Sequence, residues 1–401
     1  MTPTAGIQVR TATDSDWPAI ELLDSVGFGY HPAEPDRSLG RALTQIEDVV
    51  LATDDGVPVG VALHLPLEIT VPGGYRSATR GVSWVSVAPT HRRRGVLRAM
   101  FTHLHREIVA DGVPLAALTA SEAGIYGRFG YGPATVTSEV TLDRRFARFR
   151  DDAPDPGGVR VVDAATAEQH LPGIYDRWRR ITPGAQARPK PHWDFTFTDP
   201  ESGRGGGTAL FFLLRHDGYA IFRRRGDGDN RTAVVEELIA VTDDAHAALW
   251  RALCGLDLMA FIEASVPVDD PLRLMLTDSR LVRTTRVADD LWLRIMDVPA
   301  ALEARTYAVD IDTVIEVRDP YLGAGGTFAL TVRDGSARCR RTDASPRVSL
   351  DLDVLGSLYL GSHRARPFAA AGRVHAKSDR DLALLDSAFA SDRPAVLGWG
   401  F

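Results

Sequence analysis

Apolar and polar positions in the first 120 residues follow two different spacings. Helical spacing runs through residues 17–28, after a candidate cap at Asp14, and again through residues 95–110. Runs typical of strands surround these stretches, at 7–10, 48–53, 57–65, 81–88 and 115–119, with a hairpin turn at 54–56. The order β-α-β-β-β-α-β predicts an α/β unit.

The remaining chain divides into two further parts. Residues 151–158 are polar and helix-breaking, which predicts a boundary, and residues 159–162 then resemble 7–10, as in a weak internal duplication. Strands are expected at 209–214, 219–223, 234–241 and 259–265, with a helix at 244–256. From Leu291 onward, strands at 291–296, 313–317 and 327–332 mix with helices at 299–304, 352–360 and 379–389, an α+β pattern. We predict three units, 1–150, 151–290 and 291–401.

Composition and charge narrow the class of protein. The chain has 401 residues, too many for one ordinary core, and a net charge of −7, which argues against general nucleic-acid binding. No apolar run approaches the roughly 20 residues that span a bilayer, and no signal peptide opens the chain. Two cysteines form neither a disulfide framework nor a zinc motif. A cytoplasmic protein without a metal fits these features.

Candidate chemistry is concentrated between Val85 and Arg98. A β run there leads through a loop into the N-terminus of a helix, where unpaired backbone N–H groups and the helix dipole favour an anion such as pyrophosphate. Gly95 lets the backbone approach a ligand closely, and four arginines could neutralise phosphates: Arg92, Arg93, Arg94 and Arg98. The alternative is a solvated basic turn that caps a surface helix.

A family resemblance favours the phosphate site. Arg92-x-x-Gly95 after the run that ends in Ala88-Pro89 resembles the acetyl-CoA motif of the GNAT N-acetyltransferases, although Leu97 stands where that family usually has Gly or Ala. Two longer blocks resemble the Eis family specifically, Val87-Ala88-Pro89-Thr90-His91-Arg92-Arg93-Arg94-Gly95 and Ser121-Glu122-Ala123-Gly124-Ile125-Tyr126-Gly127-Arg128-Phe129-Gly130-Tyr131-Gly132-Pro133-Ala134. Further similarity at 238–256, 291–305 and 355–364 extends the resemblance over the full length.

The resemblance implies a fold and an activity. The fold would be two GNAT-like domains in tandem, the first at 1–150 binding acetyl-CoA and the second at 151–290 degenerate, followed by a sterol-carrier-like α+β domain at 291–401. The second domain has Thr242-Asp243-Asp244 in place of a basic loop. The activity would be acetyl transfer from acetyl-CoA to aminoglycoside amines, at several positions in the antibiotic.

The resemblance also implies roles for individual residues. Tyr126 would be the general acid, the terminal carboxylate of Phe401 the general base, and Tyr131 a core residue. The cofactor would contact Val85, Ser86, Val87, Arg92, Arg93, Arg94, Gly95, Val96, Leu97, Arg98, Ser121 and Glu122. Aromatic and acidic side chains bind the cationic amines of a polyamine substrate, and the candidates for this role are Phe28, Tyr30, Trp84 and Asp289.

Two departures from the family and two rival functions stay open. Relatives carry acidic residues near Tyr30 and just before the terminal Phe, where this chain has Gly400; aminoglycoside affinity or regioselectivity would then differ. The rivals are a lysine N-acetyltransferase acting on proteins or peptides, and a non-enzymatic acyl-CoA or lipid binder. A homo-hexamer is the assembly that the resemblance implies.

Overall fold

The first of three β-sheets carries the N-terminal unit. The computed structural model describes residues 6–401, except for the side chain of Asp229. The first sheet has the order β1-β2-β3-β4-β5-β14-β6. Its strands are β1 (Ile7–Thr11), β2 (Val49–Asp54), β3 (Val57–Thr70), β4 (Arg76–Val87), β5 (Leu115–Thr119), β6 (Gly132–Pro133) and β14 (Leu291–Ile295).

Helices cover both faces of the first sheet. On β2, Val50 and Ala52 face the core under α3 (Val96–Ala110), whereas Val49 and Leu51 face the core under α1 (Trp17–Phe28). The short helix α4 (Ala123–Tyr126) follows β5. Two details differ from the sequence prediction. Asp14 lies in a 3-10 turn, so Asp16 caps α1, and the amphipathic helix α2 (Glu34–Leu43) was not predicted because Pro35 and Gly40 interrupt its pattern.

Strands β4 and β5 separate soon after they pair. Their parallel ladder comprises only Thr79 to Gly81 of β4 against Leu115 to Ala117 of β5, yet β4 continues to Val87. A bulge between β3 and β4 accompanies the separation, and Trp84 there has a φ of 50°, unusual for a bulky residue. The separation exposes a length of unpaired β4 backbone beside the start of α3.

The second sheet repeats this plan. Its order is β13-β7-β12-β11-β10-β9-β8, and only β11 and β12, which flank α7 (Asp243–Cys254), are parallel. The other strands are β7 (Val136–Asp143), β8 (Arg160–Val162), β9 (Phe211–Arg215), β10 (Gly218–Arg225), β11 (Thr232–Ala240), β12 (Phe261–Pro267) and β13 (Val282–Asp289). Helices α5 (Ala164–Arg179), α6 (Lys190–Thr198) and α8 (Leu272–Met275) complete this part, and none of the three was predicted as a helix.

The first two sheets exchange a strand. β7 precedes residue 150 but lies in the second sheet between β13 and β12, and β14 follows residue 290 but lies in the first sheet between β5 and β6. The ranges 1–150, 151–290 and 291–401 therefore remain a prediction about sequence units, while the sheets themselves interlock across both boundaries.

The third sheet belongs to the C-terminal α+β part. Its order is β17-β16-β15-β18-β19, with β15 (Ile311–Arg318), β16 (Gly326–Arg333), β17 (Ser336–Arg341), β18 (Val348–Asp351) and β19 (Val374–Ala376). Helices α9 (Val298–Ala304), α10 (Leu352–Leu358), α11 (Ala365–Ala370) and α12 (Asp379–Phe389) cover it. Residues 396–401, the C-terminal tail, then return to the first two sheets. Within residues 6–401, no helix is both long and apolar enough to cross a membrane.

Candidate active site

A cavity of about 1560 Å³ lies between the separated end of β4, the start of α3 and the loop after β5. Every residue predicted to contact the cofactor lines it, from Val85 to Val87 on β4, from Arg92 to Arg98 at the helix start, and at Ser121 and Glu122. Tyr126 and Phe28 also line it. The structure thus gathers three separate stretches of sequence around one space.

The helix start is shaped for an anionic ligand. Gly95 caps α3 with a φ of 81°, and Arg93 just before it has a φ of 62°. Successive left-handed and right-handed residues turn backbone N–H groups towards one point, as anion-binding loops do. A Cβ added at Gly95 would meet nothing within 4 Å, so the approach to these N–H groups is open. The geometry fits the phosphates of acetyl-CoA.

The arginines of this loop are placed differently from one another. Arg92 and Arg93 are exposed, whereas Arg94 pairs with Asp54 at 3.0 Å, and Asp54 also contacts His91 at 3.2 Å. Asp54 therefore anchors the loop to the β2–β3 hairpin, a role that its position in a turn did not reveal.

Arg98 is held by a residue from the C-terminal part. Its guanidinium lies 5.3 Å from the ring centre of Tyr321, and the Tyr321 hydroxyl lies 3.2 Å from that of Thr102, one turn further along α3. No sequence motif marks Tyr321, which sits in the loop after β15. The C-terminal part of the chain thus orients one positive charge, the Arg98 guanidinium, at the end of the cavity formed by the start of α3.

Tyr126 combines burial with access to the cavity. Only 6% of the residue is exposed, and its ring stacks on Phe101 with centroids 6.1 Å apart. Burial raises the pKa of the Tyr126 phenol, the charge of Glu122 raises it further, and a hydrogen bond with Ser121 opposes the change. The phenol is therefore protonated at neutral pH. Tyr131 is fully buried and bonded to His105 at 2.7 Å, so the prediction of a core role for it is confirmed.

Phe401 lies where β4 and β5 part. Its ring packs so closely on Gly81, the last residue of β4 that pairs with β5, that a Cβ added there would lie 2.7 Å from the ring. One of its terminal oxygens accepts a hydrogen bond from the Thr119 hydroxyl at 3.3 Å, and Thr119 ends β5 just before Ser121. The ring packs with the core under α1, opposite the face that holds Tyr126. The acid candidate and the base candidate thus approach the separated strands from opposite faces of the sheet.

The four predicted substrate residues are less closely grouped. Of these four described residues, Phe28 alone lines the cavity. Trp84 is half-buried and packs edge-on against Trp17, and Tyr30 is 49% exposed. Asp289 ends β13 and accepts a hydrogen bond from the Trp292 indole.

Asp24 is a carboxylate that sequence reasoning missed. It lies on α1 one turn before Phe28, is 8% exposed, and has the Tyr30 hydroxyl 3.4 Å from Oδ2. Burial raises the pKa of Asp24 to about 6, against the opposing effect of the Tyr30 hydrogen bond. In the sequence it looked like one more polar position on an amphipathic helix, so no pattern distinguished it.

Family models match three successive parts of the chain. An acetyltransferase (GNAT) domain model matches residues 8–134, a second acetyltransferase (GNAT) domain model matches 184–295, and a sterol carrier protein domain model matches 298–398. The predicted fold class, two GNAT-like domains in tandem and a sterol-carrier-like domain, is confirmed.

Whole-chain relatives agree with these matches. N-acetyltransferase Eis of Mycobacterium tuberculosis (strain ATCC 25177 / H37Ra) is 49% identical over 406 residues, which cover 98% of this chain and all of the relative, and the Mycobacterium bovis protein (strain BCG / Pasteur 1173P2) gives the same values. The crystal structure of Eis1 from Mycobacterium abscessus superposes with a TM-score of 0.87 at 32% identity, covering 98% of this chain and all of that one.

Proposed function

Because this chain belongs to the Eis family of N-acetyltransferases, we propose that it acetylates aminoglycoside amines, at more than one position, with acetyl-CoA as the donor. In this proposal Tyr126 is the general acid and the carboxylate of Phe401 is the general base. The hydrogen bond between Phe401 and Thr119, which ends β5 two residues before Ser121 of the cavity lining, is the observation that carries it.

The cofactor half of the proposal rests on the cavity. GNAT enzymes use acetyl-CoA, which supplies an acetyl group activated as a thioester. In this chain the N-terminus of α3, with the open backbone at Gly95, would hold the phosphates, and Arg92, Arg93 and Arg98 would add positive charge. The unpaired backbone of β4 at Val85 and Val87 would bond the pantetheine arm as an added strand edge does.

The chemistry requires two proton transfers. The substrate nitrogen forms a bond to the acetyl carbon, the carbon–sulfur bond breaks, and the amine loses a proton while the sulfur gains one. Phe401 accepts the amine proton on its carboxylate. Tyr126 donates its hydroxyl proton to the sulfur, which the raised pKa of this phenol permits because the proton is present at neutral pH.

Substrate selection would differ from that of relatives with a more acidic pocket. The buried carboxylate of Asp24 lies on α1 one turn before Phe28, whose ring lines the cavity, and this pair suits a cationic amine. Tyr30 and Gly400 supply no charge. We therefore expect fewer acetylated positions per aminoglycoside than in relatives with acidic residues near these two positions.

A substrate panel tests the function. Protein with a free C-terminus is given acetyl-CoA with kanamycin, spermidine or a lysine peptide, and mass spectrometry counts the acetyl groups per acceptor. More than one acetyl group on kanamycin supports the proposal. Turnover confined to the peptide would make the protein a lysine acetyltransferase, and thiol release with none of the three would contradict the proposed acceptors.

Two variants test the residue roles. Tyr126→Phe removes the donated proton and should lower kcat about 100-fold while the KM for acetyl-CoA stays within twofold. A two-residue extension after Phe401 moves the carboxylate and should lower kcat by at least tenfold. Equal losses in kcat and in acetyl-CoA affinity for the first variant, or full kcat for the second, would refute the corresponding role.

Assembly and location complete the proposal. We propose a homo-hexamer in the cytoplasm, as the family resemblance implies, which light scattering of the purified protein and fractionation of cells would test. The sterol-carrier-like part would then serve assembly and the placement of the tail rather than lipid transport.

A further inference from the structure

The C-terminal tail is bonded to the loop between α5 and α6. The Val396 N–H donates to the Pro183 carbonyl at 2.9 Å, and the Trp399 indole donates to the Ala187 carbonyl at 3.0 Å. Between these two contacts, Gln186 and Arg188 bond the tail backbone. We call residues 183–188 the clamp segment. It belongs to the half of the molecule that has two carboxylates at the N-terminus of α7 in place of a basic loop.

Gln186 uses both ends of its amide on adjacent tail residues. Its Nε2 donates to the Trp399 carbonyl at 2.9 Å, and its Oε1 accepts from the Gly398 N–H at 2.8 Å. The residue is 0% exposed, and the hydroxyl of Tyr175 fixes its backbone carbonyl at 2.9 Å. A glutamine is matched to this pair of groups because it carries a donor and an acceptor side by side.

Arg188 fixes the tail from a second side. Its guanidinium donates to the Gly398 carbonyl at 2.8 Å and pairs with Glu237 of β11. The rings of Tyr175 and Trp193 lie 4.2 and 4.5 Å from the same group. The side chain is only 4% exposed, so the clamp is built into the core of the second unit.

The C-terminal tail packs closely against the second unit at Gly398. A Cβ at Gly398 would come within 2.2 Å of the Tyr175 hydroxyl, so the chain passes as close as the clamp allows. Three residues later Phe401 packs against Gly81 and accepts the Thr119 bond. The Phe401 carboxylate is therefore located by the first unit, through the Phe401 ring and the Thr119 bond, and by the second unit, through the backbone of Gly398 and Trp399.

We propose that Gln186 is a positioning residue for acetyl transfer, which acts by holding the Phe401 carboxylate at the separated ends of β4 and β5. The inference rests on the proposed function, since it assigns the clamp to the base of that reaction. It gives the second unit a catalytic purpose: this unit supplies the socket for the base rather than a second cofactor site.

The test combines kinetics with protection of the tail. Gln186→Leu removes both tail bonds, and the isosteric Gln186→Glu keeps the acceptor but loses the donor at neutral pH. With the best acceptor of the panel above, kcat should fall at least tenfold for Gln186→Leu and less for Gln186→Glu, and the KM for acetyl-CoA should stay within twofold. In protein lacking Phe401, the same substitutions should change the residual kcat by less than twofold, because the group they position is gone.

Release of Phe401 by carboxypeptidase A measures the clamp independently of activity. Both variants should release Phe401 at least tenfold faster than the unmodified protein. His246→Ala is the matched control, because it removes a half-buried contact of 2.9 Å to Asp270 in the same unit without touching the tail, and it should change neither readout.

The outcomes separate the two proposals. Equal kcat losses with and without Phe401, or unchanged release of Phe401, would overturn the positioning role. Full kcat after removal of Phe401 would instead overturn the proposed base, while the release rates would still decide whether Gln186 holds the tail.

Discussion

The side chains of Arg294 and Asp319 form an ion pair of 2.7 Å that is removed from solvent, with 0% and 1% of the two side chains exposed. Arg294 lies on β14 of the first sheet, and Asp319 follows β15 of the third. Arg294 also donates to the Phe129 carbonyl, in the turn after Tyr126. One buried guanidinium therefore joins the loop that carries the acid candidate to the C-terminal part.

Asp319→Asn tests the cost of breaking that pair. The change leaves the Arg294 charge buried without its counterion, so we expect the free energy of unfolding to fall by about 3 kcal/mol. The control is Arg318→Ala, which breaks an exposed pair with Asp351 and should cost under about 1 kcal/mol. Urea unfolding at pH 7 measures both, and similar losses would show that burial does not matter here.

Acid should weaken the same pair. Burial raises the pKa of Asp319, but the bonds from Arg294 outweigh that effect, and the pKa is lowered overall. A carboxyl whose folded pKa is depressed stabilises the fold above its ordinary pKa of about 3.9 and loses that contribution as the pH falls further. Asp319→Asn should therefore lose less stability between pH 5 and pH 3 than the unmodified protein, in urea titrations at each pH.

Asp24→Asn should stabilise the protein in the opposite pH range. Because the folded pKa of about 6 exceeds the ordinary value, the carboxylate opposes folding increasingly as the pH rises from about 4 to 6. We expect the variant to gain about 1 kcal/mol above pH 7 and nothing at pH 4. Tyr30→Phe, which removes the hydroxyl bonded to Asp24, should steepen the loss with pH, and a pH-independent gain for Asp24→Asn would contradict this account.

Gly95→Ala tests the backbone at the phosphate end of the cavity. A Cβ there meets no atom within 4 Å, so the cost comes from the left-handed φ and should be about 1–2 kcal/mol. If the loop holds phosphates, the KM for acetyl-CoA should also rise about tenfold. Gly112→Ala is the control at the other end of α3, with a φ of 66° and equally open surroundings; it should cost similar stability without changing this KM.

Local patterning predicted most of the fold. The spacing at 95–110 gave α3 to within one residue, and the run at 115–119 gave β5 with its exact bounds, because both elements bury a continuous apolar face. Helices α2, α5 and α6 were not predicted, because each contains a proline, and α2 and α5 also a glycine, which obscure the helical period. The strand exchange was not predicted either, because the partners of β7 and β14 lie more than a hundred residues away along the chain.

The residues of the candidate site also fall into those that the sequence predicted and those that it did not. The loop at Arg92 to Gly95 could be found because backbone chemistry and sequence coincide there. Asp54, Tyr321 and Gln186 could not, because each acts through a tertiary contact with a distant segment and occupies an unremarkable place in its own. The family resemblance named Tyr126 and Phe401, but it gave no account of what holds them.

The exchange of β7 and β14 bears on how the molecule is made. A ribosome that has delivered the first 150 residues has released β5 and β6 without the strand that lies between them, because β14 is still about 140 residues away. The first sheet therefore stays incomplete, with the place of β14 between β5 and β6 unfilled, until nearly three quarters of the chain has been synthesised. Gene fragments cut at either predicted boundary would inherit that open edge, so the first two units should be exchangeable between relatives only together and with β14 included.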